Sequence, residues 1–290
     1  MSIRAENLNF IYNQGTVYEV HAIKNVSFEI QKGEFIGVIG HTASGKSTLV
    51  QLLNGLLPLQ SGTLEVAGHK FDKDNSSLAE LRKRVGLVFQ YPEYQLFEET
   101  VELDVAFGPK NLGYEGEKLE ELVTRSLESV GLNTEEIRKS SPFELSGGQK
   151  RRVAIAGVLA MDPEILIMDE PSSGLDPKGR AQMLELMKQE HERLHRTTLI
   201  ISHDMRDIAR IADKILVMNK GEVYRFGTPR EVFREREALL EIGLDLPAIS
   251  GLSYELNQRG FALDTGIYNI EEWADALSEQ MKQKTGAKHA

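Results

Sequence analysis

The stretch FIGVIGHTASGKSTLVQLLNGLL, residues 35–57, decides the fold. An apolar run of strand length leads into Gly40, and after a short turn Gly45, Lys46 and Ser47 open a helical pattern of leucines. A glycine-rich turn between a strand and a helix suits a phosphate, because backbone N–H groups at the start of the helix can hold an anion. The stretch therefore predicts a phosphate-binding loop (P-loop) in an α/β domain.

This loop predicts an ATP site with a bound Mg²⁺ ion. The backbone N–H groups around Ser44 to Thr48 are expected to cradle the β-phosphate, while Lys46 reaches the β- and γ-phosphates. The Ser47 hydroxyl is expected to bind Mg²⁺. The residues assigned to the nucleotide are Gly40, His41, Thr42, Ala43, Ser44, Gly45, Lys46, Ser47 and Thr48. The alternative is a glycine-rich turn without a ligand, which the strand before it and the helix after it disfavour.

A second apolar run supplies carboxylates. In EILIMDEPSSGLDP, residues 164–177, a buried strand is expected to end in Asp169 and Glu170. Asp169 is predicted to hold Mg²⁺ through its water shell, and Glu170 to polarise the attacking water. The alternative is that both acids only cap a turn before Pro171. Their position after a strand that can neighbour the P-loop strand favours the catalytic interpretation.

A third apolar run, TTLIISHDM at residues 197–205, ends near His203. A histidine there can bind the γ-phosphate and hold the water in line with Glu170. A lone histidine at a strand end is more often structural. Its alignment with the other strand ends favours a catalytic role for His203.

The segment FELSGGQKRR, residues 143–152, is built for an anion but has no lysine where a P-loop would place one. The two glycines permit close approach to a phosphate, and Ser146 opens a helix whose first N–H groups can bind it. A chain with one complete P-loop needs no second cradle for the same nucleotide. The segment is therefore expected to close over ATP held by another subunit.

Composition bounds the remaining possibilities. The 290 residues exceed one minimal domain, so a core domain with an appendage is expected. A formal net charge of −10 argues against a nucleic-acid partner, which needs a basic surface. The longest apolar runs are of strand length, far below a membrane span, so a membrane link would pass through another protein. The sequence has no cysteine, which excludes disulfides and thiolate metal sites.

Taken in order, the P-loop, LSGGQ signature, Asp-Glu pair and histidine resemble the nucleotide-binding subunits of ABC transporters, over roughly residues 3–232. The resemblance implies a head-to-tail dimer with two ATP molecules, each held between one P-loop and the partner's signature. It implies that the partner's ATP is contacted by Ser146, Gly147, Gly148 and Gln149. It also implies that Gln90 senses Mg²⁺ and water, and that residues 173–176, including Asp176 at the nucleotide, cross the dimer seam.

Two assignments from the resemblance are less direct. Tyr12 matches the aromatic residue that stacks on adenine, with Phe10 and Tyr18 close enough in sequence to compete. Ala43 stands where many relatives have glycine. We expect it to be tolerated on the condition that its backbone has a negative φ.

The branch of the family is indicated by FQYPEYQLFEETVELDVAFGPKNLG, residues 89–113. Its mixture of aromatic and acidic side chains suits a partner helix, or equally a helix packed on its own subdomain. The stretch resembles the ATPases of energy-coupling factor (ECF) vitamin transporters, and more closely the second of their two paralogous ATPases. This implies a heterodimer with a paralogue, substrate-binding S components and a transmembrane T component. The T component would dock at about residues 90–99, with arginines that meet Glu93, Glu98 or Glu99.

The fold class expected is α/β: an ABC-type P-loop ATPase domain with a RecA-like core, an antiparallel β flank, a helical subdomain and a small C-terminal domain. The predicted bounds are 1–232 for the ATPase domain, about 92–150 for the helical subdomain and 233–290 for a dimerisation domain, with disorder at 287–290. The protein is expected to be peripheral, on the cytoplasmic face of the membrane. The alternatives are a cobalt or nickel importer ATPase and a soluble ABC ATPase without a transport role.

Overall fold

The computed structural model of the chain describes residues 1–74, 77–132 and 134–286. The strands are β1 (Ile3–Tyr12), β2 (Val20–Ile30), β3 (Phe35–Ile39), β4 (Ser61–Val66), β5 (His69–Asp72), β6 (Val85–Val88), β7 (Ile165–Asp169), β8 (Thr197–Ile201), β9 (Lys214–Asn219) and β10 (Glu222–Gly227). The helices are α1 (Lys46–Asn54), α2 (Leu78–Arg84), α3 (Val101–Asn111), α4 (Gly116–Ser129), α5 (Glu135–Lys139), α6 (Gly147–Ala160), α7 (Pro177–Leu194), α8 (Met205–Ile211), α9 (Pro229–Arg234), α10 (Arg236–Glu241), α11 (Ala248–Gln258) and α12 (Ile270–Gly286).

The central sheet has the strand order β10-β9-β3-β8-β7-β6. The strands from β9 to β6 run parallel, and β10 pairs antiparallel with β9. Strands β3, β6 and β8 are buried along their whole length, as their nearly continuous apolar sequences require when helices cover both faces. The α/β fold class with a mainly parallel sheet is confirmed.

A smaller antiparallel sheet, of order β2-β1-β4-β5, forms the predicted β flank. Its alternating burial places one face against the core and the other toward solvent. The leucines of α1 fill the space between this sheet and the central sheet. Helix α1 ends at Asn54, because Gly55 adopts a left-handed conformation with φ of 75° and caps it.

A helical region, α3 to α6, is inserted between β6 and β7. Its apolar side chains join a second core that also covers the opposite face of the central sheet. Helix α6 packs on α3 and α4, and its N-terminus carries the signature residues. The sheet and the signature are thus joined by one packed layer of helices.

Helices α9 to α12 follow the last strand. Val232 and Phe233 are fully buried in the same core as the central sheet, while Asp264 accepts hydrogen bonds from Arg230 and Arg234 on α9. The division of the chain at residue 232 stays a prediction. The expectation of disorder at 287–290 lies outside the described residues.

Within the described part of the chain, no helix is both long and apolar enough to cross a membrane.

Candidate nucleotide-binding site

Four parallel strands bring the predicted catalytic segments to one edge of the sheet. Strands β3, β8, β7 and β6 are consecutive neighbours, and their carboxyl ends lead into the P-loop, His203, the Asp169-Glu170 pair and Gln90 respectively. Carboxyl ends of parallel strands share an edge, which is where ligands bind in open α/β sheets. The sheet topology therefore assembles residues that lie more than a hundred positions apart.

The P-loop follows β3 directly and is closely packed from behind. Gly45 has φ of 103°, and a Cβ atom there would lie 2.7 Å from the backbone oxygen of Ala22. At Gly40 a Cβ atom would lie 2.4 Å from the backbone oxygen of Met218 and 2.5 Å from Ser44 Oγ. Only glycine fits at these two positions, because neighbouring backbone already occupies the space a side chain needs.

Ala43 does not meet the condition set for it. Its φ is 63°, so the backbone is in the left-handed region and not at the negative φ on which tolerance was based. An alanine there stores strain of order 1 kcal/mol, because its Cβ atom crowds the following carbonyl group. The strain lies at the tip of the loop that is expected to grip phosphate.

The interior of the loop fits a triphosphate. The Lys46 side chain folds back into the loop and donates to the backbone oxygens of Gly40 at 2.7 Å and His41 at 2.9 Å. The fully buried Ser44 Oγ has no hydrogen-bond partner among the described residues. A buried hydroxyl without a partner is destabilising, and a phosphate oxygen would satisfy it. His41 lies at the rim, with Nε2 3.0 Å from Asn219 Oδ1.

The charges of the site also call for Mg²⁺ and phosphate. Burial and the neighbouring Glu170 carboxylate raise the pKa of Asp169, although Lys46 and a hydrogen bond with Ser47 oppose the rise. Burial lowers the pKa of Lys46 against the opposing effect of Glu170 and Asp169. Each group is therefore harder to charge here than in water, and a phosphate beside Lys46 with a cation beside Asp169 would relieve both costs.

Glu170 lies between the two other predicted catalytic groups. Its Oε1 is 2.5 Å from His203 Nε2, and its Oε2 accepts a hydrogen bond of 3.1 Å from Gln90 Nε2. Its φ of 49° is left-handed, a strained conformation for a non-glycine residue. The three side chains converge, as the strand ends predicted, and Glu170 and His203 also line a cavity of about 600 Å³. A general base held by two neighbours in this way can orient a water molecule.

The candidate adenine residue lies beside the loop. Tyr12 ends β1, and its hydroxyl group is 3.3 Å from Thr48 Oγ1. Phe10 is buried and packs edge-on against Tyr12, with the ring centres 4.8 Å apart, so it cannot stack on a base. Tyr18 lies exposed near the β1–β2 turn. The geometry thus favours Tyr12 among the three.

The signature segment forms an ordered helix start. Ser146 caps α6 and accepts from the backbone N–H of Gln149, while Gln149 Oε1 accepts from the Ser146 backbone at 3.0 Å and from its hydroxyl at 2.8 Å. This capping box holds the first turn open to solvent. Ser146, Gly147 and Gly148 are exposed. Apart from its chain neighbours and the adjacent backbone of α6, a Cβ atom at either glycine would meet no described atom within 4 Å.

The residues after Glu170 form a turn that leads into α7. The Asp176 carboxylate caps this helix through a 2.7 Å hydrogen bond from the backbone N–H of Gly179. Ser173 Oγ donates to Tyr91 Oη at 3.3 Å, which ties this turn to the segment after Gln90. The predicted contact of Asp176 with nucleotide stays a prediction.

The sequence did not reveal Arg151, which lies one turn into α6. Its guanidinium group binds Glu93 through two hydrogen bonds of 2.7 and 2.9 Å, and it donates to the backbone oxygen of Ser173 at 2.7 Å. Its side chain is only 4% exposed. The prediction that Glu93 faces a membrane partner is therefore wrong in this structure, because its carboxylate is turned inward to neutralise a buried cation.

Arg180 of α7 was also missed. It forms ion pairs with Asp204, which directly follows His203 in the chain, and with Asp207 in the first turn of α8. Burial opposes ionisation of Asp204, but hydrogen bonds from Arg206 and the charges of Arg180 and Arg206 hold its pKa at about 2. The ion pairs of Arg151 and Arg180 could not be predicted from the sequence. In each case the partners lie on different elements and have no regular spacing in the chain.

The fold and the site together define a P-loop ATPase. The family described as ABC transporter matches residues 23–173. An energy-coupling factor transporter ATP-binding protein EcfA2 of Caldanaerobacter subterraneus is 55% identical over 94% of this chain and 95% of its own. The protein of the same name from Clostridioides difficile is 52% identical, over 94% and 95% of the two chains. The chain therefore belongs to the ABC transporter family and, within it, to the ECF transporter ATP-binding proteins of the EcfA2 group.

Solved structures agree with this placement. The structure of cbiO1 from Clostridium perfringens, part of the ABC transporter complex cbiONQ, is 37% identical with a TM-score of 0.72, covering 86% of this chain and 97% of that one. A dimeric ATP-binding cassette bound to ADP and Pi is 30% identical with a TM-score of 0.67, covering 78% and 98%. The predicted family is confirmed. The chain is an ATP-hydrolysing, Mg²⁺-dependent subunit of an ECF transporter, peripheral to the membrane, and works with the other components of that complex.

Proposed function

We propose that this subunit drives micronutrient uptake, with vitamins as the substrate class. It forms a head-to-tail pair with a paralogous ATPase, and the pair lies on the cytoplasmic face of the membrane. Each of two ATP molecules lies between the P-loop of one subunit and the signature of the other. Binding of ATP closes the pair, and hydrolysis with release of products reopens it. The S components select the substrate, and the T component carries the movement into the membrane.

The observation that carries the pairing is the open space around the signature glycines. No described atom of this chain lies where a side chain at Gly147 or Gly148 would extend. The two glycines are the first residues of α6, and no contact within the described chain requires glycine at either position. A ligand that approaches the backbone from outside the chain explains their presence.

Within one site the residues divide the work. Lys46, Ser47 and the loop N–H groups bind the phosphates and Mg²⁺, with Asp169 as a further ligand through water. Mg²⁺ supplies neutralisation of phosphate charge when bound. Glu170 orients and polarises the attacking water, while His203 and Gln90 hold Glu170 in place by the two contacts described above. Tyr12 stacks on the base.

The groove proposed for the T component lies between α3, α6 and the segment after Gln90. It contains a cavity of about 450 Å³ lined by apolar residues that include Phe97, Phe107 and Met161. Phe97 and Phe107 are exposed and pack edge to face with ring centres 4.8 Å apart. Asp104 supports this wall by accepting the backbone N–H groups of Phe97 and Glu98, at 3.1 and 3.0 Å. An apolar helix would insert there, and its arginines would bind Glu98 and Glu99, which follow Phe97 in the chain.

Purification from membranes tests the proposal. The tagged chain, solubilised in detergent from its native host, is expected to bring with it a different ABC ATPase, one T-type membrane protein and several small S-type proteins. Lysine at both Glu98 and Glu99 is expected to release the membrane proteins while the second ATPase stays bound. The matched control places lysine at Glu117 and Glu121, exposed acids of α4 on another surface of the helical region.

Three results would count against the proposal. Recovery with metal-importer subunits and no second ATPase would replace the vitamin assignment by a cobalt or nickel importer. Recovery of a cytosolic ATPase without membrane proteins would remove the transport role. Full assembly of the Glu98→Lys, Glu99→Lys double variant would contradict the proposal that the T component docks in this groove.

A further inference from the structure

Arg151 connects three segments that have separate tasks in the proposed cycle. It lies on α6, five residues after Ser146 at the signature. Its partner Glu93 lies in the short 3-10 turn Pro92–Gln95, which follows Gln90. Its other partners are the backbone oxygens of Ser173 and Pro171, in the turn after Glu170. One buried guanidinium group therefore joins the signature helix α6 to the proposed docking segment (residues 90–99) and to the turn that follows the general base.

The contacts fit a guanidinium group and no other side chain. Two parallel N–H groups match the two Glu93 oxygens, at 2.7 and 2.9 Å, while a third nitrogen edge points at the Ser173 carbonyl. A lysine ammonium is a point donor and cannot span a carboxylate and a carbonyl on opposite sides. Tyr91 covers one face of the group, with its ring centre 5.8 Å from the central carbon.

The network around Arg151 is continuous with the catalytic groups. Gln90 Nε2 lies 3.4 Å from Ser173 Oγ as well as 3.1 Å from Glu170 Oε2. The Ser173 backbone N–H in turn donates to the Glu170 backbone oxygen at 3.0 Å. Movement of the Glu93 turn is thus resisted by the same bonds that set Gln90, the Glu170 turn and the start of α6.

Because the Arg151–Glu93 ion pair is buried, separating its two members is strongly unfavourable. Burial opposes the charge on Glu93, yet the hydrogen bonds from Arg151 and from its own backbone hold its pKa below the usual range. A buried ion pair that loses one member leaves the other without compensation, so partial separation is strongly unfavourable. The three segments move together, or the contact breaks.

We propose that Arg151 is a positioning residue that fixes the signature mouth to the docking segment and to the turn after Glu170, so that displacement of that segment by the membrane partner reaches both ATP sites. The inference rests on the proposed role of Ser146 at the partner's ATP. Arg151 touches no reacting atom. Its effect passes through Ser146 on one side and the Glu170 turn on the other.

A double-mutant cycle on the assembled transporter complex tests the inference, with ATP hydrolysis as the readout. Arg151→Gln is expected to lower kcat about tenfold or more, because displacement of catalytic groups by about an ångström has effects of this size. The affinity of the P-loop for ATP is expected to stay within about twofold. Arg151→Lys keeps the charge but is expected to lower kcat as well. Ser146→Ala added to Arg151→Gln is expected to lower kcat by less than it does alone, because residues that act as a unit are not additive.

Arg138→Gln is the matched control. Arg138 is an arginine of the helical region with a side chain 12% exposed, and its partners Glu102 and Glu120 lie outside residues 90–99. Its loss is expected to lower the melting temperature and to leave kcat within about twofold.

Each outcome has one meaning. Unchanged kcat in both Arg151 variants, fully additive effects of Ser146→Ala and Arg151→Gln, or an equal fall of kcat in Arg138→Gln would overturn the positioning role. Unchanged kcat in Ser146→Ala alone would overturn the signature assignment of the proposed function, and the inference with it.

Discussion

The P-loop and the signature are both glycine-containing helix starts, yet this chain treats them in opposite ways. At the P-loop, Gly40 and Gly45 are required by the chain's own packing, since a Cβ atom would lie under 3 Å from neighbouring backbone oxygens. At the signature, Gly147 and Gly148 face open space. The first pair of glycines is required by contacts within the subunit, whereas no contact within the described chain requires the second pair, for which we propose a partner's ATP.

The charged groups divide in the same way. At the P-loop, burial lowers the pKa of Lys46 and raises the pKa of Asp169, and the Glu170 carboxylate opposes the first change and adds to the second. At the signature the polar side chains of Ser146 and Gln149 bond to each other in the capping box. We infer that the P-loop side supplies the charge and the chemistry, whereas the signature side supplies a rigid set of N–H donors that completes the partner's site.

The largest expected effect tests whether the chemistry lies on the P-loop side. Glu170→Gln removes the group that polarises water while the amide keeps the contacts to Gln90 and His203. We expect turnover to fall about 10²- to 10³-fold with ATP still bound, since general-base catalysis contributes effects of this order. Phosphate release measures turnover, and size-exclusion chromatography with ATP is expected to reveal a trapped dimer. Glu164→Gln, an exposed acid just before β7, is the control. Wild-type turnover with wild-type KM in Glu170→Gln would show that Glu170 does not polarise the attacking water.

A paired glycine substitution tests the comparison directly. Gly45→Ala is expected to lower the free energy of unfolding by about 2 to 3 kcal/mol and to abolish ATP binding, because the new Cβ atom meets backbone at a left-handed φ. Gly148→Ala is expected to leave stability unchanged or raise it by up to about 1 kcal/mol, since alanine favours helix. Turnover of the complex should nevertheless fall in Gly148→Ala. Urea unfolding and titration with a fluorescent ATP analogue measure the two effects. Equal destabilisation by both substitutions would break the comparison.

The smallest expected effect concerns the support behind His203. The pKa of Asp204 is depressed from 3.8 to about 2 in the folded chain, so its ionised form stabilises the fold above the unfolded pKa, and this stabilisation is lost as pH falls toward 2. Asp204→Asn should therefore lower the melting temperature by roughly 2 °C near pH 7. The difference from wild type should shrink below about pH 4. A difference independent of pH would show that the ion pairs with Arg180 and Arg206 contribute nothing.

The sequence was sufficient to predict the positions of residues that follow a strand or open a helix, because these positions depend on local spacing. Lys46 and Ser47 follow a strand and open a helix, Asp169 and Glu170 end a strand, and each was placed at the sheet edge where the structure has it. Parallel strands bring such ends together by a general rule, so their convergence could be expected. The position of Ser146 at the start of a helix was predicted from the helical pattern that follows the two glycines.

Other features could not be predicted from spacing. Arg151 and Glu93 are 58 positions apart and Arg180 and Asp207 are 27 apart, on elements whose relative placement depends on the packing of helices. Tolerance of Ala43 was made conditional on a negative φ, but its φ is 63°, and the residue type alone does not set the backbone conformation of a loop. Glu93 was expected to face a partner, and instead neutralises a buried arginine.

By itself the sequence determined the strands, the P-loop, the order of the predicted catalytic residues and the helix start at the signature. Each of these depends on interactions between near neighbours in the chain, where residue type and spacing fix the geometry. The tertiary structure alone decided which carboxylates remain free, which glycines the fold requires and which arginine joins the signature to the docking segment. These depend on burial and on distances between remote segments, and both arise only when the helices and sheets pack together.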